Sequence, residues 1–196
     1  QLETIARRFA PPRITRLHVP SERGAAAQRS AAFCAVELED GAYGLSYLLL
    51  GDTLRDWLMH EGAAEPLQGR CPLELARGFV GGSGLSRAIA LACINALTDS
   101  AWRQLRYSPP PAGNSLGDIC LSEADHLGMI GFFPPLVRQV LATGARLTVV
   151  ELDSATVRRQ QARFPDVTIT LDRSALAPCN VVVGTSTMLL NDTLDG

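Results

Sequence analysis

The stretch from His126 to Val137 constrains the fold of this chain more than any other. It begins with a short apolar run of strand length, Leu127 to Ile130, which breaks at Gly131. Apolar residues at helical spacing then follow from Pro134. Proline is favoured in the first turn of a helix, because its missing N–H would have no partner there anyway. The stretch therefore predicts a strand, a tight turn and a helix.

Further strands and helices alternate after this stretch. We predict strands at 146–151, 167–171 and 180–184, a helix at 155–164 with Ser154 as its N-cap, and another helix from Leu189 onward. Gly144 stands where the C-cap of the first of these helices belongs. Strands that are separated by helices pair in parallel, with right-handed crossovers. The second half of the chain is therefore predicted to contain a parallel sheet.

The first half of the chain has a different order of elements. Strand-like runs at 13–19, 33–38 and 45–50 come first, with a hairpin turn at Asp40 and Gly41, and we predict helices at 2–9, at 53–60, from Pro72, and at 85–105. The last of these helices is apolar around most of its circumference, so we expect it to be buried. This order predicts an α+β domain with an antiparallel sheet at residues 1–107. The proline-rich residues 108–116 would link it to a second domain at 117–196.

Composition excludes several classes of function. Hydrophobic residues make up 46% of the chain, which is enough to bury a core. All 18 basic residues are Arg, so a lysine Schiff base and a P-loop lysine are excluded. The net charge of −2 predicts no nucleic-acid partner, and no apolar run is long enough to span a membrane. Five scattered cysteines are typical of a reduced, cytoplasmic protein, and the three histidines lack the spacing of metal ligands.

The carboxyl ends of the predicted parallel strands are the candidate binding site, because ligands bind there in open α/β sheets. Glu151 lies 23 residues after Gly128, close to the spacing at which dinucleotide-binding folds place an acidic residue for ribose hydroxyls. The turn after the first strand departs from those folds. It holds the bulky Phe132 and Phe133, followed by two prolines that have no N–H to donate to a phosphate. We therefore expect no bound pyrophosphate, and an apolar wall formed by the two phenylalanines.

Other polar residues have both a functional and a structural interpretation. Thr185, Ser186 and Thr187 follow the last strand, where hydroxyls commonly cap a helix and sometimes also reach a ligand. Asn95 lies within an apolar helix, and a buried amide needs a hydrogen-bond partner. That partner would be either a loop of its own domain or a ligand in an interdomain cleft. Glu151 could equally be an exposed charge at a strand end.

Several segments together resemble a prokaryotic family named for heavy-metal chelation. They are Gly128 to Val137 with its Gly-Phe-Phe-Pro-Pro turn, Leu147 to Leu152, Cys179 to Thr187 with Asn191 to Thr193, and the helix from Ala88 to Ala96. The resemblance implies an α/β fold in which a Rossmann-like domain, shortened here, follows an enolase N-terminal-like domain. It also implies a ligand site in the cleft between them, formed by Asn95, Gly131, Phe132, Phe133, Pro134, Glu151, Thr185, Ser186, Thr187 and Asn191.

Three interpretations of the function stay open. The leading one is a chelating or metal-handling protein that binds a heavy metal, or a small molecule bearing one, in this cleft. The second is a transferase-like enzyme that holds an adenosyl methyl donor at Glu151, and the third is a ligand-sensing module without chemistry. The sequence identifies no catalytic residue, no cofactor beyond a divalent heavy metal, and no metal ligand. The expected partner is a small molecule or metal, and a homodimer is left open.

Overall fold

The computed structural model describes residues 4, 9–19, 33–48, 67–82, 84–111, 116–117 and 119–190. The chain divides into two compact units, which are Gln1–Pro109 with Thr187–Gly196 (unit 1) and Pro110–Ser186 (unit 2). Most of the helix predicted at 2–9, all of that at 53–60, and the helix beyond residue 190 lie outside the described residues. Within the described residues, no helix has the length and apolar character needed to cross a membrane.

Unit 1 contains the predicted three-stranded antiparallel sheet. Its strands are β1 (Ile14–His18), β2 (Phe33–Leu38) and β3 (Tyr43–Tyr47), in the spatial order β1-β2-β3. The third strand begins two residues earlier than predicted, because the hairpin turn is tight. Gly41 has a φ of +76° and its N–H donates to the Leu38 carbonyl at 2.9 Å, so the chain reverses at once. The alternation of buried and exposed residues along β2 and β3 leaves one face of the sheet buried.

Among the described residues of unit 1, two α-helices follow this sheet along the chain. Helix α1 (Pro72–Ala76) continues into a 3₁₀ turn, and α2 spans Gly84–Gln104. As predicted, α2 is largely buried, and its buried residues are mostly small. The close approach of β3 depends on Gly44, where an added Cβ would lie 2.0 Å from the Ala92 carbonyl oxygen. A glycine in the strand and alanines in the helix therefore bring the two backbones into contact.

Unit 2 contains a four-stranded parallel sheet, which confirms the predicted pairing. Its elements in chain order are β4 (His126–Ile130), α3 (Pro134–Leu141), β5 (Arg146–Val150), α4 (Ser154–Arg163), β6 (Thr168–Thr170), a 3₁₀ turn (Arg173–Leu176) and β7 (Val181–Gly184). A further 3₁₀ turn spans Ser186–Leu189. The spatial order of the strands is β6-β5-β4-β7. The chain order therefore reverses between β4 and β7.

The core of unit 2 consists of aliphatic side chains from the sheet and from α3. Leu127 and Val149 of the sheet are fully buried beside Val137 and Val140 of the helix. One detail of the sequence prediction was wrong, since Asp153 rather than Ser154 is the N-cap of α4. The Asp153 carboxylate accepts hydrogen bonds from the Ala155 and Thr156 N–H groups at 3.1 and 2.8 Å. The helix starts one residue earlier than predicted because aspartate can fill this role as well as serine can.

Candidate functional site

The turn after β4 is joined to the carboxyl end of β7. Gly131 has a φ of +84°, and its N–H donates to the Val150 carbonyl at 2.9 Å. A Cβ at this position would lie 2.8 Å from Thr185 Oγ1, so the threonine side chain lies directly against the turn. The Thr185 N–H in turn donates to the Ile130 carbonyl at 3.1 Å. Gly131 is therefore required both by its backbone conformation and by the space that Thr185 occupies.

Glu151 is fixed at the same edge of the sheet by its backbone and its side chain. Its N–H donates to the Thr170 carbonyl at 2.9 Å. Its carboxylate accepts hydrogen bonds from the Phe132 N–H at 2.5 Å and from the Leu152 N–H at 3.2 Å. An ionised carboxylate has about four acceptor positions, so roughly two remain for a ligand. Glu151 thus holds the β4–α3 turn in place and still carries unused acceptor capacity.

The β4–α3 turn presents few N–H groups. The Gly131 and Phe132 N–H groups are taken by the Val150 carbonyl and the Glu151 carboxylate, and two prolines follow at the start of α3. A phosphate site at a helix N-terminus depends on several N–H groups that point at the anion. The expectation that this turn binds no pyrophosphate stays a prediction, and the hydrogen-bond pattern supports it.

The two phenylalanines of the turn have different surroundings. Phe132 is partly buried against the core of unit 2, and its ring centroid lies 5.6 Å from that of Phe164. Phe133 precedes α3 in an extended conformation and is 42% exposed. Phe133 is therefore the better placed of the two to contact a ligand, while Phe132 anchors the turn. Their role as an apolar wall stays a prediction.

The structure brings only some of the predicted site residues together. Gly131, Glu151 and Thr185 meet around the Phe132 backbone. Ser186 is exposed and starts a 3₁₀ turn, and the Thr187 carbonyl accepts the Leu190 N–H at 2.9 Å. Pro134 is the first residue of α3 and has no N–H to offer a ligand. Asn191 lies outside the described residues.

Asn95 of α2 differs from its prediction. We expected a buried amide, and this was wrong, because Asn95 is exposed. Its Nδ2 donates to the Leu45 carbonyl of β3 at 2.8 Å. The amide therefore links α2 to the sheet within unit 1, next to the position where Gly44 lets the two backbones approach. Ligand binding by Asn95 stays a prediction, but the burial of its amide no longer supports it.

Sequence reasoning missed a polar network at the opposite, amino-terminal edge of the parallel sheet. Asn180 Oδ1 accepts the His126 N–H at 2.7 Å, and Asn180 Nδ2 donates to Asp125 at 2.8 Å. The Asn180 amide and then Ser122 hold the pKa of the Asp125 carboxyl below its usual value. His126 Nε2 lies 2.9 Å from Thr148 Oγ1. Polar residues that flank the apolar strands were the signal for this network.

In the part of the chain that the structure describes, no three or more His, Cys, Asp or Glu side chains are grouped so that they could hold a metal ion. The acidic residues at the carboxyl edge instead bind backbone N–H groups, as Asp153, Asp172 and Glu151 all do. The described site therefore resembles a binding surface with one well-placed carboxylate more than a closed metal cage.

Comparisons with known proteins cover most of the chain. Residues 118–196 match the DUF364 family model and residues 29–98 match the DUF4213 model, and each model is described as "Putative heavy-metal chelation". No curated protein matches the chain.

Two similar solved structures are proteins of unknown function from the DUF364 family. The one from Pyrococcus horikoshii has a TM-score of 0.62 and 16% identity, and the match covers 99% of this chain and 70% of that one. The one from Desulfitobacterium hafniense DCB-2 has a TM-score of 0.59 and 15% identity, covering 98% and 70%. At this level of identity, the likeness establishes a shared mixed α/β fold.

Proposed function

The chain belongs to the family described as "Putative heavy-metal chelation", and from this premise we propose that unit 2 binds a heavy metal carried by a small molecule. The proposed site is the carboxyl edge of the parallel sheet, at the turn after β4. The observation that carries the proposal is the Glu151 carboxylate, which is held by two N–H groups and keeps free acceptor positions. We also infer that unit 1 is the enolase N-terminal-like domain and unit 2 the Rossmann-like domain of this family.

The strand order supports this location. In open α/β sheets the ligand binds beyond the carboxyl ends of the strands, at the point where the strand order reverses. Here that point lies between β4 and β7. Gly131 follows β4 and Thr185 follows β7. A Cβ at Gly131 would lie 2.8 Å from Thr185 Oγ1, so the two residues are neighbours at the reversal. Glu151 directly follows the neighbouring strand β5, and its carboxylate and the Thr185 side chain both lie against the same turn.

The proposed ligand is a metal complex rather than a bare ion. Transition metals in proteins usually have four or more ligands, with histidine and cysteine strongly represented. No cluster of three such groups exists among the described residues. A small chelating molecule would supply most of the ligands itself. The protein would then recognise the complex through one carboxylate, a hydroxyl at Thr185 and the exposed ring of Phe133.

A thermal-shift panel tests the proposal directly, because a ligand that binds only the folded protein raises its melting temperature. The panel consists of Ni²⁺, Cu²⁺, Zn²⁺ and Cd²⁺, each alone and with citrate or free histidine. We expect a chelated metal to stabilise the protein more than the same metal alone does. Glu151→Gln should weaken that ligand at least tenfold, which corresponds to about 1.4 kcal/mol. Glutamine retains an oxygen that can accept from the Phe132 N–H, so the turn should persist.

Glu123→Gln is the matched control for this experiment. Glu123 is exposed and precedes β4 at the opposite edge of the same sheet. The same chemical change there should leave the ligand affinity unchanged. Equal affinity of the wild type and Glu151→Gln for every stabilising ligand would refute the assignment of Glu151. Stabilisation by the metals alone, and not by the chelated metals, would refute the proposal that the ligand is a metal complex.

An adenosyl methyl donor is the second candidate ligand, and one specific observation favours it. Glu151 directly follows β5, the strand next to β4, which is where dinucleotide-binding folds place the acidic residue that accepts ribose hydroxyls. Its free acceptor positions fit that role. S-adenosylmethionine and S-adenosylhomocysteine therefore belong in the same panel. Stabilisation by either one, removed by Glu151→Gln and absent with the metal complexes, would replace the first proposal with this one.

A further inference from the structure

The antiparallel sheet of unit 1 has aromatic rings and a carboxylate on the face that is turned away from α2. The alternation of side chains along β2 and β3, and a hydrogen bond from β1, put seven residues on this open face: His18, Phe33, Ala35, Glu37, Tyr43, Leu45 and Tyr47. Phe33, Tyr43 and Leu45 are 49%, 44% and 57% exposed. Exposed apolar side chains that lie together, rather than singly, are typical of a binding surface.

The strand register places the small Ala35 at the centre of the open face. Its partners across the sheet are Leu45 and His18, and its neighbours along β2 on this face are Phe33 and Glu37. Each neighbour along the strand is two residues away, which corresponds to about 6.8 Å. Aromatic rings contact one another at centroid distances of roughly 4.5–7 Å. Ala35 is therefore the floor of a shallow depression with room for one planar ring.

One side of this depression is aromatic. Phe33 and Tyr47 are paired across the strands, and their ring centroids lie 5.5 Å apart in an edge-to-face arrangement. Aromatic side chains on a sheet bind planar heterocycles by stacking, with little preference among bases because every base has a π-face. This side of the depression can supply affinity for a planar ring, but not a choice between rings.

The other side of the depression accepts hydrogen bonds. The Glu37 carboxylate accepts from His18 Nε2 at 2.8 Å and from the Tyr43 hydroxyl. These two bonds, that of His18 first, lower the pKa of Glu37, so the carboxyl is ionised at neutral pH and can only accept. An ionised carboxylate has about four acceptor positions, so roughly two remain. A ligand at this side must therefore donate.

The surrounding charges favour a neutral donor over a cation. Arg16 is the partner of Glu37 in the strand register, and its charge also lowers the pKa of Glu37. A cationic ligand would be repelled by this guanidinium, whereas a neutral ring with N–H groups would not. Among the common bases, guanine presents two adjacent donors, N1–H and the 2-amino group. Adenine, cytosine and uracil place a donor beside an acceptor at the corresponding edge.

The strand that carries half of the open face is held firmly by α2. Asn95 Nδ2 donates to the Leu45 carbonyl at 2.8 Å, and the Asp99 carboxylate accepts from the Tyr43 N–H at 3.0 Å. Both bonds use backbone atoms, so the side chains of Leu45 and Tyr43 stay available on the open face. A ligand site is more precise on such a fixed strand than on a loop.

We propose that the open face of unit 1 binds a guanine-type base. The ring lies over Ala35 and against Phe33, and its N1–H and 2-amino groups donate to the Glu37 carboxylate. Stacking supplies affinity, and the carboxylate supplies the preference for guanine. This site belongs to unit 1 and does not depend on the metal-complex site proposed for unit 2.

Titration calorimetry of the full chain with GMP, IMP and AMP tests the proposal. The three nucleotides share the same ribose phosphate, so differences in affinity report on the base. We expect GMP to bind with a Kd below about 1 mM. IMP lacks the 2-amino group and should bind about tenfold more weakly, because one hydrogen bond to a charged acceptor is lost. AMP should bind more weakly than IMP.

Three variants separate the floor, the carboxylate and the aromatic side. Ala35→Ile fills the depression with a residue that favours strands, so it should weaken GMP binding at least tenfold without unfolding the sheet. Glu37→Gln should also weaken GMP binding at least tenfold, and it should abolish the preference for GMP over AMP. Phe33→Leu should weaken all three nucleotides by the same factor, since stacking does not distinguish them.

Two matched controls carry the same Glu-to-Gln change elsewhere. Glu74 is exposed on α1 of unit 1, and Glu151 lies at the sheet edge of unit 2. Neither Glu74→Gln nor Glu151→Gln should change the affinity for GMP. Equal affinities for GMP and AMP, or an affinity of Ala35→Ile within twofold of the wild type, would overturn the proposal.

Two further measurements keep the test decisive if a variant does not fold. In the wild type, nuclear Overhauser effects should connect H8 of GMP with protons of Phe33 and Leu45, and their absence in the bound state would overturn the assignment of the site. Sedimentation of the wild type and of Ala35→Ile examines a different occupant. A dimer that Ala35→Ile dissociates, together with no nucleotide binding, would show that the open face is a contact between two copies of the chain.

Discussion

The glycines of the two units have different neighbours. In unit 1, Gly44 faces backbone atoms of α2, with the Ala92 oxygen and the Ala96 nitrogen 2.0 and 2.1 Å from where its Cβ would be. In unit 2, Gly128 and Gly131 face side chains, those of Leu176, Cys179 and Thr185. The first kind of glycine lets two elements of the fold touch. The second kind makes room for a side chain that can carry chemistry.

The two cores differ in the same way. The buried face of α2 in unit 1 is built largely from alanines, so the distance between helix and sheet is set by the backbones. Unit 2 buries leucines and valines from β4, β5 and α3. Side chains can rotate into alternative rotamers and backbones cannot. An added methyl group should therefore destabilise unit 1 strongly. In unit 2, neighbouring side chains should move to make room for it, and polar side chains among them would be displaced.

The largest effect is expected from Gly44→Ala. The new methyl group would lie within 3 Å of three backbone atoms of α2, and only a separation of β3 from the helix can relieve those contacts. We expect a loss of at least about 3 kcal/mol in the free energy of unfolding, at the upper end for overpacking. Urea unfolding followed by circular dichroism would measure it.

Gly78→Ala is the matched control for that substitution. Gly78 also lies in unit 1, but nothing lies within 4 Å of its Cβ position. Its replacement should change the stability by less than about 1 kcal/mol. If the two variants have similar stabilities, the backbones of α2 and β3 are not in close contact at Gly44. The proposed difference in packing between the two units would then be wrong.

Much of the fold followed from the sequence because its signals are local. The β4–α3 stretch combines three local signals, namely an apolar run of strand length, Gly131, which permits the positive φ of the turn, and Pro134, which fixes φ at the start of the helix. The alternation of strands and helices after it predicted the parallel pairing that the structure has. Hairpin position was predicted less well, since β3 starts at Tyr43 and depends on how tightly the Asp40–Gly41 turn closes.

The candidate site was less predictable, because it depends on contacts between distant residues. The position of Glu151 at a strand end was evident, but its hydrogen bond to the Phe132 N–H was not. Asn95 was expected to be buried, since helical periodicity cannot show that its amide lies at the surface and bonds Leu45. The pairing of His126 with Thr148 needs the strand register, which a single sequence does not contain.

An intermediate loss of stability is expected from Gly131→Ala. Gly81→Ala is the control that separates backbone strain from the contact with Thr185. Both glycines have similar positive φ values, +84° and +86°, but only Gly131 has a neighbour, Thr185, at its Cβ position. The backbone strain should cost about 1 kcal/mol in each variant. The contact should add about 1 kcal/mol at Gly131, because Thr185 can rotate away. Equal losses of stability in the two variants would show that Thr185 is not packed against the turn.

Among the three glycines with close neighbours, the smallest effect on stability is expected from Gly128→Ala. This substitution should instead change the reactivity of the Cys179 thiol. The φ of Gly128 is not positive, and its Cβ would meet the Leu176 side chain at 2.7 Å and Cys179 Sγ at 3.2 Å. Since both neighbours are side chains, we expect a cost of about 1 kcal/mol, at the lower end for overpacking.

Relief of those contacts should displace the Cys179 thiol from Thr148, with which it is hydrogen-bonded. Iodoacetamide labelling of Cys179, followed by mass spectrometry, should therefore become faster in Gly128→Ala, while labelling of Cys120 stays the same. Adding Leu176→Ala to this variant should recover part of the stability, because the shortest contact of the new methyl group is then removed. The labelling rate should stay raised, because the contact with Cys179 Sγ remains. A loss of stability as large as that of Gly44→Ala would mean that unit 2 is packed as rigidly as unit 1. The difference between glycines that face backbone atoms and glycines that face side chains would then not account for the different tolerance of the two units to added atoms.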